Sequence, residues 1–184
     1  MGQISVGANM LFSGGGNDIV AEPLSLWLKD WDAALPPEAH LDAQRFSAAL
    51  ALVRAGYEEL IALRDRLSPS TELVFHGYDY AIPDGRGVCL NAFGPWLNPA
   101  FDLRGFPSRA AASAVVKAML SAFALQLQDL ANTHNNVTFV NSQGLLPQSP
   151  DAWHNELHPS SQGYDLHADR FNASLKSMVP NRVD

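Results

Sequence analysis

The sequence predicts an α/β fold built on a parallel sheet. Three observations predict it. Short apolar runs alternate along the chain with long amphipathic stretches, the pattern of strands joined by crossover helices. The first run, Val6 to Phe12, stops abruptly at Gly14-Gly15-Gly16, as a short buried strand closed by turn residues does. A polar cluster follows each run: Ser13 to Asp18, His76 to Tyr80, and Asn141 to Gly144. Parallel sheets bind their ligands at these carboxyl ends. At 184 residues and 47% apolar composition, residues 1–184 make one domain with a packed core.

The elements follow in order. After the first strand, Pro23 to Trp31 reads as a short helix, ended before Pro36 and Pro37. Trp27 and Trp31 are expected to pack it onto the sheet. Leu41 to Leu67 is the clearest helix, because Phe46, Leu50, Val53, Tyr57, Leu60 and Leu67 recur at helical spacings. Asp42 stands near its start and Arg64 and Arg66 in its last turn, where each charge suits the helix dipole. Thr71 to Phe75 is the second strand. Tyr78 to Pro107 is rich in Gly and Pro and reads as a long loop, which in a compact domain is functional or mobile. Ser108 is the expected N-cap of a helix running to about Thr133, with Val115, Met119, Phe123 and Leu127 on one face. Val137 to Val140 is the third strand. After Pro159 a last helix runs to about Met178, with Leu166, Phe171 and Leu175 apolar. Three strands are few for such a sheet.

Charge and composition exclude several functions. The net charge of -7 lacks the basic footprint of a nucleic-acid binder. One cysteine, Cys89, excludes an internal disulfide framework and a Cys-rich zinc site. No apolar run is read as long enough to span a bilayer, and no cationic leader precedes the first strand, which favours a cytoplasmic setting. His154 and His158 lie four apart, but Pro159 takes His158 out of helical geometry, so no metal site is expected.

Two clusters carry candidate chemistry. In Ser13-Gly14-Gly15-Gly16-Asn17-Asp18, glycines let the backbone turn sharply at a strand end. Asn17 then offers an amide donor of the kind an oxyanion hole needs. The plainer reading is a glycine turn with Asn and Asp in permissive conformations. In Trp153-His154-Asn155-Glu156-Leu157-His158-Pro159-Ser160, a loop presents His158 ahead of the last helix as a general base. Asp151 or Glu156 are the carboxylates that would orient it, Asn155 would do so by hydrogen bonding alone, and a backbone carbonyl near Trp153 is a further support. Of the rest, His76, Tyr78, Asp79 and Tyr80 are placed either to line a substrate cleft or to form a packed loop, and Trp96 and Phe101 form either an apolar wall or the long loop's own core.

Together the two clusters resemble the SGNH (GDSL-like) hydrolase family. Leu11 to Asp18 is similar to its G-x-N-D block, with Gly15, Asn17 and Asp18 on the Gly, Asn and Asp. Trp153 to His158, with Pro159-Ser160 and Gly163-Tyr164 behind it, is similar to the family's last block. The resemblance implies a flavodoxin-like, three-layer α/β/α sandwich and a serine hydrolase of carboxylic esters. It makes Asn17 the oxyanion donor and His158 the base, acting on a small-molecule ester without a cofactor. Many members carry Asp three residues before the histidine; here that residue is Asn155. The family's G-D-S nucleophile block is not found ahead of Gly15, so the chain reads as a member lacking its first strands, with the first strand here left as an open edge that invites association. Ser13 and Ser142 are substitutes without the nucleophile elbow; Ser13 reads better as a turn residue and Ser142 as a strand-end cap. The rival reading is a non-catalytic binding or interaction module that keeps the fold.

Overall fold

A computed structural model of the chain describes residues 9–20, 23–89 and 92–178. Three parallel strands, β1 (Asn9–Phe12), β2 (Glu72–His76) and β3 (Val137–Val140), pair in sequence order, with Phe12 opposite Phe75 and His76 opposite Val140. The residues before Asn9 that the first predicted strand included lie outside the described set.

The long helices α3 (Ala43–Leu67) and α5 (Arg109–Thr133) are the crossovers between successive strands. Adding strands in one direction with one crossover hand puts both helices on the same face. Successive residues of a strand point to opposite faces, and β2 shows the result. Phe75 packs edge-on against Tyr57 of α3 at 4.7 Å. His76 packs against Phe171 of α6 (Ser161–Met178) at 5.3 Å. Helices therefore cover the sheet on both sides, the α/β/α arrangement expected from the alternation of elements.

Caps fix the two long helices. Asp42 Oδ1 accepts from the Arg45 amide at 3.0 Å, and Ser108 Oγ from the Ala111 amide at 3.2 Å. Val115, Met119, Phe123 and Leu127 are buried as the spacing predicted. This same α5 corrects one expectation: Arg109–Thr133 is long and apolar enough to cross a membrane by length and composition. Its apolar side is spent in the core of this fold, where Phe123 meets Tyr57 of α3.

Other differences are local. Leu67 is 70% exposed, and the buried positions of α3 continue instead through Ile61 and Arg64. The Arg64 guanidinium is satisfied by the carbonyls of Thr71, Asn135 and Asn136 and by Asp65, so it ties the end of α3 to the approaches of β2 and β3. The predicted Pro23–Trp31 helix shrinks to α2 (Leu24–Trp27), because Leu28 turns extended to pair with Leu41. Trp31 lies beyond it and stacks on the buried His40 ring at 4.5 Å rather than joining helix to sheet. Two short helices were not foreseen: α1 (Gly16–Ile19) and, inside the long loop, α4 (Asn98–Leu103). Phe101 of α4 is buried against Phe106, so it belongs to core rather than to a cleft wall.

Candidate active site

A cavity of about 690 Å³ lies at the carboxyl ends of the strands, where a parallel sheet leaves a crevice. Ser13 and Asn17 come to it from the glycine turn after β1. His76, Tyr78 and Asp79 come from the end of β2, His158 from the loop before α6, and His167 and Phe171 from α6 itself. Asn17 and His158, from opposite ends of the chain, thus line one cavity, and both are solvent-exposed at its mouth.

The His158 turn is built by Asn155. This side chain is fully buried, and its Oδ1 accepts three hydrogen bonds: from the Leu157 amide at 2.9 Å, the His158 amide at 3.0 Å and His158 Nδ1 at 3.0 Å. Backbone amides only donate, so they fix which end of the Asn155 amide is oxygen. That oxygen in turn requires Nδ1 of the imidazole to carry a proton. In the neutral imidazole this tautomer leaves the lone pair on Nε2, as a general base needs. The loop closes on itself as the His154 amide donates to the His158 carbonyl at 2.8 Å. Trp96 abuts the imidazole edge-on, with ring centroids 6.0 Å apart.

Glu156 has a different task from the one foreseen. It is fully buried and both its oxygens are taken by the long loop. Oε1 accepts from the amides of Gly85 at 3.0 Å and Asn98 at 2.9 Å; Oε2 accepts from Trp96 at 2.6 Å and Leu97 at 2.7 Å. Four charge-assisted bonds compensate a carboxylate held away from water. Glu156 therefore clamps the wall that holds Trp96 against His158 and does not touch the imidazole. Asp151 lies exposed in a 3-10 turn (Pro150–Ala152), and the Trp153 carbonyl accepts from Arg86 Nη1 at 2.9 Å. Trp153 itself is buried against the cavity.

Asp79 is a second buried clamp. Its Oδ1 accepts from the Tyr80 and Gly144 amides and its Oδ2 from the Leu146 amide, each at 2.7 Å. It joins the loops after β2 and β3 on the cavity wall. Ser142 Oγ donates to the Gly77 carbonyl at 2.6 Å and is buried, a cap between strand ends. Ser13 does line the cavity, with Oγ 3.5 Å from the Tyr78 hydroxyl.

The glycine turn owes its shape to close approach. Gly15 has φ +82°, and a Cβ there would sit 2.6 Å from Val53 Cγ1. A Cβ on Gly16 would sit 2.6 Å from the Tyr78 ring. The hydroxyls of Tyr57 and Tyr78 both donate to the Gly14 carbonyl, at 2.9 and 3.3 Å; burial pushes the Tyr57 hydroxyl well above its ordinary pKa. Gly15 and Asp18 border a separate groove with Phe12, Trp27 and Val53 instead of the cavity. Tyr80 also stands apart: its hydroxyl donates to Gln143 Oε1 at 3.3 Å and Lys117 Nζ lies 5.2 Å over its ring.

His76 lines the cavity as its place in the His76 to Tyr80 cluster suggested, whereas sequence reasoning missed His167. His167 stands one turn beyond Tyr164 on the cavity side of α6, a spacing visible once that face is known. Burial lowers the His167 pKa; Asp79 opposes the shift and His76 adds to it. Among the described residues no cluster of His, Cys, Asp and Glu fits a metal ion.

No family model and no curated protein matches this sequence. Among solved structures, the chain is similar to a protein from Streptococcus pneumonia described as a "putative platelet activating factor", at 18% identity and a TM-score of 0.45. The match covers 71% of this chain and 51% of that one, so the chain spans about half the length of that protein.

Proposed function

We propose that this chain carries the base and the oxyanion donor of a serine-type hydrolase of carboxylic esters. One observation supports the reading above others: a single cavity lined by both Asn17 and His158, with the imidazole held by Asn155. In this reaction a serine hydroxyl attacks the ester carbonyl. His158 Nε2 takes the hydroxyl proton and passes it to the departing alcohol. The Asn17 amide donates to the carbonyl oxygen as negative charge gathers there. Water deprotonated by the same imidazole then releases the acid. Asn155 selects the tautomer and orientation that a triad carboxylate selects elsewhere, without supplying a countercharge to the imidazolium.

The nucleophile separates this reading from its rival. The tripeptide Gly-Asp-Ser does not occur in the sequence, which favours a non-catalytic binding module as the second reading. Ser13 is the serine on the cavity wall among the described residues. Incubation with p-nitrophenyl butanoate and with a fluorophosphonate probe tests both. Turnover that His158→Gln abolishes, with the probe on Ser13, supports catalysis by this chain. Absence of both turnover and labelling would favour a chain without its nucleophile, or the binding module.

A further inference from the structure

Strand β1 differs from the strand beside it in what its side chains meet. Leu73 and Val74 of β2 are fully buried, while their partners across the ladder, Met10 and Leu11, are 42% and 52% exposed. Among the described residues β1 pairs on one side alone, with β2. Its other edge offers backbone N–H and C=O groups to a further strand. At the opposite end of the sheet, β3 has no exposed residue.

The helix over this edge carries a second apolar face. One face of α3, with Phe46, Val53, Tyr57 and Ile61, is buried in the core. Leu52, Gly56, Leu63 and Leu67 fall on another, at helical spacings of four, seven and four. Leu52, Leu63 and Leu67 are 77%, 42% and 70% exposed, and exposed apolar surface of this extent marks a contact site. Gly56 points the same way. Glycine inside a helix costs stability relative to alanine, yet among the described residues no atom beyond its own stretch of helix lies within 4 Å of a Cβ placed there. The missing side chain leaves room for close approach from outside the molecule. A groove of about 480 Å³ runs from this face to β1, lined by Phe12, Trp27, Leu52 and Val53.

We propose that this surface joins two copies of the chain about a two-fold axis normal to the sheet, with β1 paired antiparallel to its counterpart. The proposal does not rest on the hydrolase reading. Tyr57 packs on both Phe12 of β1 and Phe75 of β2, at 5.3 and 4.7 Å, so α3 lies above the gap between these strands. Paired strands stand about 4.8 Å apart. The two α3 helices then lie side by side about 9–10 Å apart, the usual distance for packed helices. The axis keeps both on one side of the joined sheet and runs them antiparallel, which brings Leu63 and Leu67 of each copy toward the groove of the other. A second copy is the occupant because it supplies both things the surface lacks, a strand edge and an apolar helix face, and a two-fold makes them self-complementary. About 28 Å of helix from Ala49 to Leu67 and about 13 Å of strand edge take part. With side-chain relief, the pair buries on the order of 1,000 Å², the size at which a specific interface begins.

Sedimentation equilibrium of the whole chain tests it. A reversible monomer–dimer equilibrium is expected, with a dissociation constant of about 1–100 µM. Added salt should tighten it by screening the net charge of -7. Leu52→Glu and Leu67→Glu should each weaken the dimer at least about tenfold by burying a charge, with unchanged far-UV circular dichroism. Gly56→Met should also weaken it, yet raise the melting temperature at a concentration where the chain is monomeric, because methionine is the better helix former. Leu125→Glu, on α5 and 71% exposed, should leave the dimer unchanged. A monomer throughout that range, assembly that continues past two copies, or a dimer untouched by both Leu52→Glu and Leu67→Glu would overturn the proposal. So would an effect of Leu125→Glu as large as theirs.

Discussion

The turn from Trp153 to Pro159 and the helix α6 behind it are continuous in sequence and opposite in construction. In the turn, Trp153, Asn155 and Glu156 are buried, and Asn155 and Glu156 between them accept seven hydrogen bonds with their side-chain oxygens. In α6, one small residue is buried and the inner face borders open volume. Local stability follows buried contact and satisfied polar groups. The contrast teaches that His158 is preorganised by its own backbone before any ligand arrives, whereas the roof over the cavity is only lightly held.

The sharpest way to break that contrast is Glu156→Gln. It replaces an oxygen facing two amides with a donor and removes the charge the other bonds rely on. We expect a loss of about 3–4 kcal/mol, a fall in melting temperature of about 10 °C, measured by calorimetry. A silent Glu156→Gln would mean that the loop holds the wall unaided.

Asn155→Leu comes next. It leaves His158 Nδ1 and two amides without an acceptor, and kcat/KM for p-nitrophenyl butanoate should fall about 10²-fold. Asn155→Asp keeps the acceptor and adds a countercharge, so it should preserve turnover and raise the His158 pKa followed by NMR. Equal losses in both variants would show that Asn155 serves folding alone.

A smaller effect is expected from His167 on the roof. Its folded-state pKa lies below the ordinary value, through burial and then His76 against the opposing Asp79. The unfolded chain therefore binds more protons as pH falls below about 6.5, and stability declines with it. His167→Gln should flatten that acid limb in urea titrations between about pH 7 and 5. The smallest effect is Leu166→Ala on the outer face of α6, where Leu166 is 45% exposed; a change within about 0.5 kcal/mol is expected.

What was legible in the sequence follows from the range of the forces involved. The β2 and β3 runs, the helices α3, α5 and α6, the acidic Asp42 at a helix start and the cap Ser108 are local signals, and the fold returns them within a residue or two. The Glu156 clamp joins residues about sixty positions away, and no local spacing announces it. Leu67 and Leu166 were assigned to apolar faces by type and are exposed. Arg64 stands in the last turn of α3, as read for the helix dipole, but its burial was not legible, because the three carbonyls that converge on it come from other segments. Among the groups considered as orienters of His158, only hydrogen-bond geometry separates Asn155 from Glu156, Asp151 and the Trp153 carbonyl. His167 was passed over because the cavity face of α6 is set by which turn meets the sheet ends.

The central claim is that the Asn17 amide and the His158 imidazole act on one reacting carbonyl. A double-mutant cycle on p-nitrophenyl butanoate hydrolysis measures it directly. Asn17→Ala and His158→Gln should each lower kcat/KM by at least about 10²-fold. Combined, they should cost far less than the product of the two losses, as groups serving one transition state do. Losses that multiply independently, or turnover indifferent to either substitution, would contradict the account.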